Sequence, residues 1–256
     1  MNAIIFLAHQ TDARTLAALH KLRCEMPPNM QLLPVFDTTR ELCDRTLLPR
    51  DAICITFNEV VADSPYPGKT TQCRESFYPG CHDLILLWLF RRWPGFEYYW
   101  FVEYDMDYTG DWRDFFAAFL SSDSDMLATT VFRYAFRPSW PHWKQLQVEE
   151  SIRRDDYIRA LCCIARYSAA AFACLDAAYR SECRGHFECL IPTLLHHHGL
   201  KVEDFGGDGE FVKSGNTNRF YLNNPGKAGL LPGSLTFAPN DFDPSRHGPL
   251  LRHPVK

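Results

Sequence analysis

The run YYWFV at residues 98–102 is followed at once by Glu103, Asp105 and Asp107. Aromatic and β-branched side chains suit a pleated, covered surface, so the run predicts a buried strand. The acids at its end cannot follow it inward, because an unpaired carboxylate is costly to bury. The chain must therefore bring the carboxyl end of a buried strand to water, to an arginine or to a cation. A solvated acidic turn meets that demand, and so does an Asp-x-Asp metal grip.

The flanking sequence supplies a sheet for this strand. Ala3 to Ala8 predict a strand, and Thr11 or Asp12 then caps a helix running to about Arg23, before Pro27 and Pro28. Leu32 to Phe36 predict a second strand ending at Asp37, and Ala52 to Phe57 a third. This alternation predicts an α/β fold in which strands point their carboxyl ends at one rim. Residues 65–79 predict a loop, and an apolar helix from Cys81 to Arg92 ends at Pro94-Gly95. After the acids come a helix from Trp112 to Leu120 capped by Asp111, a strand from Asp125 to Phe132, and a loop with Trp140 and Trp143. Cys162 to Tyr167 predict a strand, and Ala169 to Tyr179 and Phe187 to His198 predict helices. Val202 to Phe205 predict a late strand, and from Gly206 the frequent Gly, Pro and Asn predict a loop-rich tail. There is no internal repeat or low-complexity linker, so one domain over 1–256 is expected.

Composition removes several function classes. A net charge of −4 without a basic stripe argues against nucleic acid, which would demand clustered Lys and Arg. The ten cysteines include no C-x-x-C pair, and a chain with 46% hydrophobic residues does not need disulfide staples. Reduced thiols and a cytoplasmic location are expected. The opening MNAIIFLAHQTD has too short an apolar run for a secretory signal and no basic residue before it. The longest apolar stretch, LILLWLF at 84–90, is bounded by Asp83 and Arg91 and is too short to span a membrane.

If the segment stays extended, Asp105 and Asp107 project to one side and Met106 to the other. Converging carboxylates of this kind fit a hard cation, Mn²⁺ or Mg²⁺, that leaves positions for phosphate oxygens. Asp37 closes the second strand where acids of nucleotide folds meet a ribose or base. No G-x-G-x-x-G follows the first strand; His9-Gln10-Thr11 is the nucleotide-facing turn expected here, with Thr11 at the start of a helix. His196, His197 and His198 point about 100° apart on a helix and cannot converge on one ion. Tyr134, Phe136, Trp140 and Trp143 suit packing, with stacking on a sugar ring as the alternative.

A strand followed by Asp-x-Asp, behind a β-α-β half, resembles the GT-A glycosyltransferase fold. WFVEYDMDYTGDWRDFF is similar to the EYDv-ytG-w signature of a group of GT-A-like proteins in bacteria and plants. GHFECLIPTLLHHHGLKVEDFGG at 185–207 and the terminal LLRHPVK are similar to that group too. The resemblance implies a mixed nucleotide-binding-type sheet flanked by helices, with a nucleotide-sugar-binding half at 1–110 and an acceptor half with tail at 111–256. It implies a metal-dependent transfer of sugar from a nucleotide-sugar donor to a carbohydrate or other hydroxyl acceptor. Under it Asp105 and Asp107 match the metal and diphosphate motif, although many members of the group lack the second Asp. His253 becomes a further metal ligand from the chain end, and Glu103 a neighbour of the metal or of the sheet. Glu188 becomes the base of an inverting enzyme; as a first-turn acid it also suits a helix N-terminus. A non-catalytic binding relative and a metal-dependent phosphoesterase are the alternatives.

Overall fold

The computed structural model describes residues 1–40, 42–73, 75–223, 234–235 and 248–255. Much of the expected loop-rich tail, 224–233 and 236–247, lies outside them. Seven strands form one sheet: β1 (Asn2–Ala8), β2 (Met30–Asp37), β3 (Ile53–Ile55), β4 (Tyr98–Glu103), β6 (Met126–Arg133), β7 (Ile158–Ser168) and β8 (Val202–Asp204). Their order is β3-β2-β1-β4-β7-β6-β8, and β7 runs antiparallel to both of its neighbours. A two-stranded ribbon pairs β5 (Asp107–Tyr108) with β9 (Leu251–Arg252). This is the α/β sheet that the alternation of apolar runs predicts, with the mixed strand directions that the resemblance implies.

Strand alternation divides the interior in two. Ala3, Ile5 and Leu7 of β1, with Tyr99 and Phe101 of β4, face a core closed by α4 (His82–Arg92), α6 (Ala169–Arg180) and α7 (Phe187–His197). Ile4 and Phe6, with Trp100 and Val102, face a second core closed by α1 (Ala13–Glu25) and α5 (Trp112–Ala117). Both faces of β1 and β4 are thus covered, which is why these strands are near-continuous apolar runs. At roughly 25 cal/mol per Å² of apolar surface, this double burial is the main favourable term in folding.

Three expectations need correction. The third strand is only Ile53–Ile55, because Thr56 and Glu59 form a reciprocal capping box that starts α2 (Phe57–Ala62). The T-x-x-E spacing was present in the sequence to signal it. The loop expected at 65–79 contains α3 (Pro67–Gln72), with proline in its first turn, where the missing N–H costs nothing. The thiols are not all reduced either: Cys73 and Cys81 are bonded to each other, and the other eight cysteines are free.

Candidate functional site

In the order β2-β1-β4, the chain leaves β1 toward one side of the sheet and β4 toward the other. A parallel sheet opens a crevice at such a switch point, beyond the carboxyl ends of its strands. The acidic turn occupies that crevice. Tyr104 N–H donates to the Leu7 carbonyl at 3.0 Å, so the turn starts from β1's own rim. The chain end is stitched to it: Tyr108 pairs with Leu251 and Asp107 with Arg252, and Val255 N–H donates to the Asp105 carbonyl at 2.9 Å. His253 N–H donates to the Ser234 carbonyl at 3.1 Å.

This stitching brings His253 from far along the sequence to two side chains of the acidic turn. Donor atoms of Glu103, Asp105 and His253 lie within 4.8 Å of one another. His253 Nε2 is 3.5 Å from Glu103 Oε2 and 3.4 Å from Asp105 Oδ1. Asp105 Oδ1 is buried without a hydrogen-bond partner. An orphaned buried carboxylate oxygen beside another carboxylate and an imidazole fits a divalent cation, whose charge would supply the missing partner. Burial works against the His253 cation, but Cys163, Asp105 and Glu103 outweigh it, and the ring titrates well above the ordinary imidazole range.

Asp107 is not in this group. Residues 104–105 turn, so the extended alternation that would align Asp105 with Asp107 is broken, and Asp107 enters the ribbon opposite Arg252. Met106 between them is buried in the second core. Glu103, expected as a neighbour, joins Asp105 instead.

A cavity of about 520 Å³ adjoins the acidic turn, lined by His9, Gln10, Asp12, Thr15, Tyr104 and Val255 among others. It lies at the start of α1, where the helix dipole favours an anion and Arg14 adds a cation to the lining. Asp12 caps that helix, its Oδ1 accepting from Thr15 N–H at 2.7 Å. His9 Nδ1 lies 3.2 Å from the Tyr78 hydroxyl and edge-on to Tyr104, and burial lowers its pKa. Thr11 and Asp37 sit at the same rim with their side chains engaged. Thr11 Oγ1 accepts from Asp44 N–H at 2.7 Å, and Asp37 Oδ1 accepts from Thr39 N–H at 2.9 Å and from the Thr39 hydroxyl. Both hold the turns that border the crevice.

Glu188 opens α7 on the same rim. Burial pushes its carboxyl up to about 7, against the pull of Arg159. Its amide donates to His186 Nδ1 at 3.3 Å, so the ring of His186 caps the helix. Beneath this corner lies a buried network that the sequence did not signal. Lys69 pairs with Asp83 at 2.8 Å and donates to the carbonyls of Gly80 and Gly185, while Asp83 accepts from the Tyr179 hydroxyl at 2.6 Å. Gly80 also takes the first amide of α7, from Phe187, at 3.1 Å. A lone lysine in a predicted loop carries no sequence pattern for such a role. The three consecutive histidines diverge: His196 lies 3.5 Å from Arg133 Nη1, His197 3.2 Å from Ser151 Oγ and His198 3.2 Å from Glu149 Oε1. Tyr134, Trp140 and Trp143 pack together on the outside of α7, and Phe136 stacks on Phe132.

No protein-family model matches this sequence, and no curated protein is similar to it in sequence. The chain is similar in structure to glycosyltransferases and a nucleotidyltransferase. One is a glucose-1-phosphate thymidylyltransferase of Bacillus anthracis in complex with sucrose, at 12% identity over 81% of this chain and 88% of that one, with a TM-score of 0.41. Mouse xyloside xylosyltransferase 1 matches at 12% identity over 80% and 84%, with a TM-score of 0.44. The galactosyltransferase LgtC, in complex with donor and acceptor sugar analogs, matches at 9% identity over 80% and 73%, with a TM-score of 0.45. The α/β sheet is defined by its own strand order. Among the described residues no helix is long and apolar enough to cross a membrane.

Proposed function

We propose that this chain is a metal-dependent glycosyltransferase that moves a sugar from a nucleotide-sugar donor to a hydroxyl acceptor. The observation that carries the reading is the convergence of Glu103, Asp105 and His253 at the switch-point crevice, with an orphaned carboxylate oxygen at its centre. These three residues would hold Mn²⁺ or Mg²⁺, which when bound offsets the charge developing on a diphosphate leaving group. His9, Tyr104 and the start of α1 border the adjoining cavity and are suited to the donor's nucleotide. Glu188 takes the acceptor proton: a carboxylate held near neutrality by burial combines a usable ionised fraction with real basicity at ordinary pH. In this reading the halves at 1–110 and 111–256 serve donor and acceptor. A phosphoesterase would draw on a wider ligand set at several strand ends. Among the described residues, this three-residue group is the candidate cluster.

The test is titration calorimetry of nucleoside diphosphates with and without Mn²⁺, followed by transfer assays with a screened donor. The expected result is nucleotide binding that requires Mn²⁺ and disappears in Asp105→Ala while the melting curve is retained. Equal nucleotide binding by parent and variant, or release of phosphate with no sugar transferred, would reject the reading.

A further inference from the structure

A second cavity, of about 690 Å³, opens beside the start of α7. One wall is α3 and the loop that the Cys73–Cys81 bond closes; the other is the turn at Pro141–Gln145 and the bridge that joins Gln147 to Arg184. Two polar atoms on residues lining it, Gln72 Oε1 and His142 Nδ1, are buried without a hydrogen-bond partner. Buried polar groups are almost always paired, so an orphaned atom on a lining side chain leaves a hydrogen bond that a rotation of that side chain would offer to a ligand.

A third group is prepared in the same wall. His186 Nδ1 accepts the Glu188 amide, and burial drives the ring's pKa down to about 3, so the imidazole is neutral. With Nδ1 accepting, the ring hydrogen sits on Nε2, which makes that atom a donor of fixed tautomer. Gly80 packs directly against this ring, which a residue without a Cβ permits: at φ +92, a Cβ there would come within 2.6 Å of His186 Cδ2.

Charge decides what kind of ligand suits these groups. The formally charged liners are Glu75 and Arg184, one of each sign, and Arg184 Nε is already engaged by Gln147 Oε1 at 2.8 Å. With one charge of each sign, the described lining residues present no net positive charge to select a phosphate or carboxylate. The other liners include Thr71, Ser76, Gln145 and Tyr78, which are hydroxyls, an amide and an aromatic face. His142 and His186 add two rings with centroids 4.2 Å apart. Amides and hydroxyls beside flat rings match the hydroxyl-studded edge and apolar face of a pyranose.

We infer that this cavity binds an uncharged saccharide and that, in the transfer reading above, on which this role rests, it holds the acceptor beside Glu188. The full chain is titrated with cellobiose, maltose, xylobiose and lactose, and in parallel with glucuronate and glucose 6-phosphate, by saturation-transfer NMR and calorimetry. At least one neutral disaccharide binds, and Gln72→Ala and His142→Ala each weaken it by about tenfold, the loss expected for one directed hydrogen bond. Gln145→Ala, at an exposed position that does not endanger folding, weakens it in the same direction. Binding by none of the four disaccharides, tighter binding of the anionic sugars, or unchanged affinity in all three variants overturns the assignment. Nucleoside diphosphate and Mn²⁺ binding are measured on the same samples. Loss of the saccharide result with nucleotide binding intact rejects this cavity alone; saccharide binding without Mn²⁺-dependent nucleotide binding upholds the cavity and rejects the transfer reading.

Discussion

At the scale of single residues, Asp105 and Asp107 separate two kinds of acid that look alike in sequence. Asp105 keeps an oxygen buried without a hydrogen bond, 3.4 Å from His253 Nε2, whereas Asp107 belongs to a ribbon strand. Asp105→Asn is therefore expected to abolish Mn²⁺ binding and Asp107→Asn to change it little, as read by calorimetry with a thermal melt as control. His253 adds a pH dependence. Its pairing with the two acids contributes stability to the metal-free chain that is full below the ordinary imidazole value of 6.5 and is lost as pH rises through its raised value. A cation must displace that proton, so Mn²⁺ affinity falls as pH falls and binding releases protons, measurable by calorimetry in buffers of different ionisation enthalpy. Glu188 behaves in the opposite sense in catalysis. Its folded value, raised from 4.5 to about 7, means that ionisation costs stability as pH climbs through that window, while the base becomes competent. Turnover should rise with an apparent pKa near 7, and Glu188→Gln should lower it by about 10² to 10⁴-fold and erase that limb. A mere helix cap would change the melt slightly and leave the rate alone.

At the scale of elements, the segment from Cys73 to Cys81 links both halves of the rim. Tyr78 reaches His9 at the nucleotide-facing turn, and Gly80 receives the first amide of α7 and the Lys69 ammonium. The Cys73–Cys81 bond closes this segment. Reduction with dithiothreitol should cost about 2 kcal/mol of stability, because the unfolded chain regains loop entropy. It should also weaken ligand binding in both cavities; unchanged melting and binding after reduction, with free thiols verified by mass, would show that the bond does neither. The ribbon of β5 and β9 is the second such element. Its two residue pairs carry His253 to a strand end that lies 150 positions upstream for Glu103 (253 − 103). Chain ends fray unless tied, and this one is tied by Val255 as well as by the ribbon.

At the scale of the whole molecule, one sheet carries the rim shared by all these groups, with apolar cores on both faces. Ligands that bind only the folded chain stabilise it by mass action. Mn²⁺ with a nucleoside diphosphate at about a hundred times its Kd is expected to add about 2.7 kcal/mol, or roughly 5 to 10 °C in Tm for a chain of this size. Either component alone should give much less. An equal shift from nucleotide without metal would mean that the cation has no part in binding.

What the sequence alone determined is whatever depends on near neighbours. The apolar runs of β1, β2 and β4, a cap at Thr11 or Asp12, the start of α7 at Phe187 and the divergence of the three histidines all follow from local periodicity and capping chemistry, and the structure settles the cap on Asp12. The capping box at Thr56 and Glu59 was equally local. The acidic strand end was also legible, since three carboxylates after an apolar run leave few options. Which acid would partner Asp105 was not, because the answer depends on the turn at 104–105, which leaves Glu103 rather than Asp107 beside Asp105 and His253. Nor could spacing reveal the Cys73–Cys81 bond, the buried Lys69–Asp83 pair or the cavity between α3 and His142. These depend on how distant segments pack around the sheet, and tertiary structure alone brings such groups within hydrogen-bonding range.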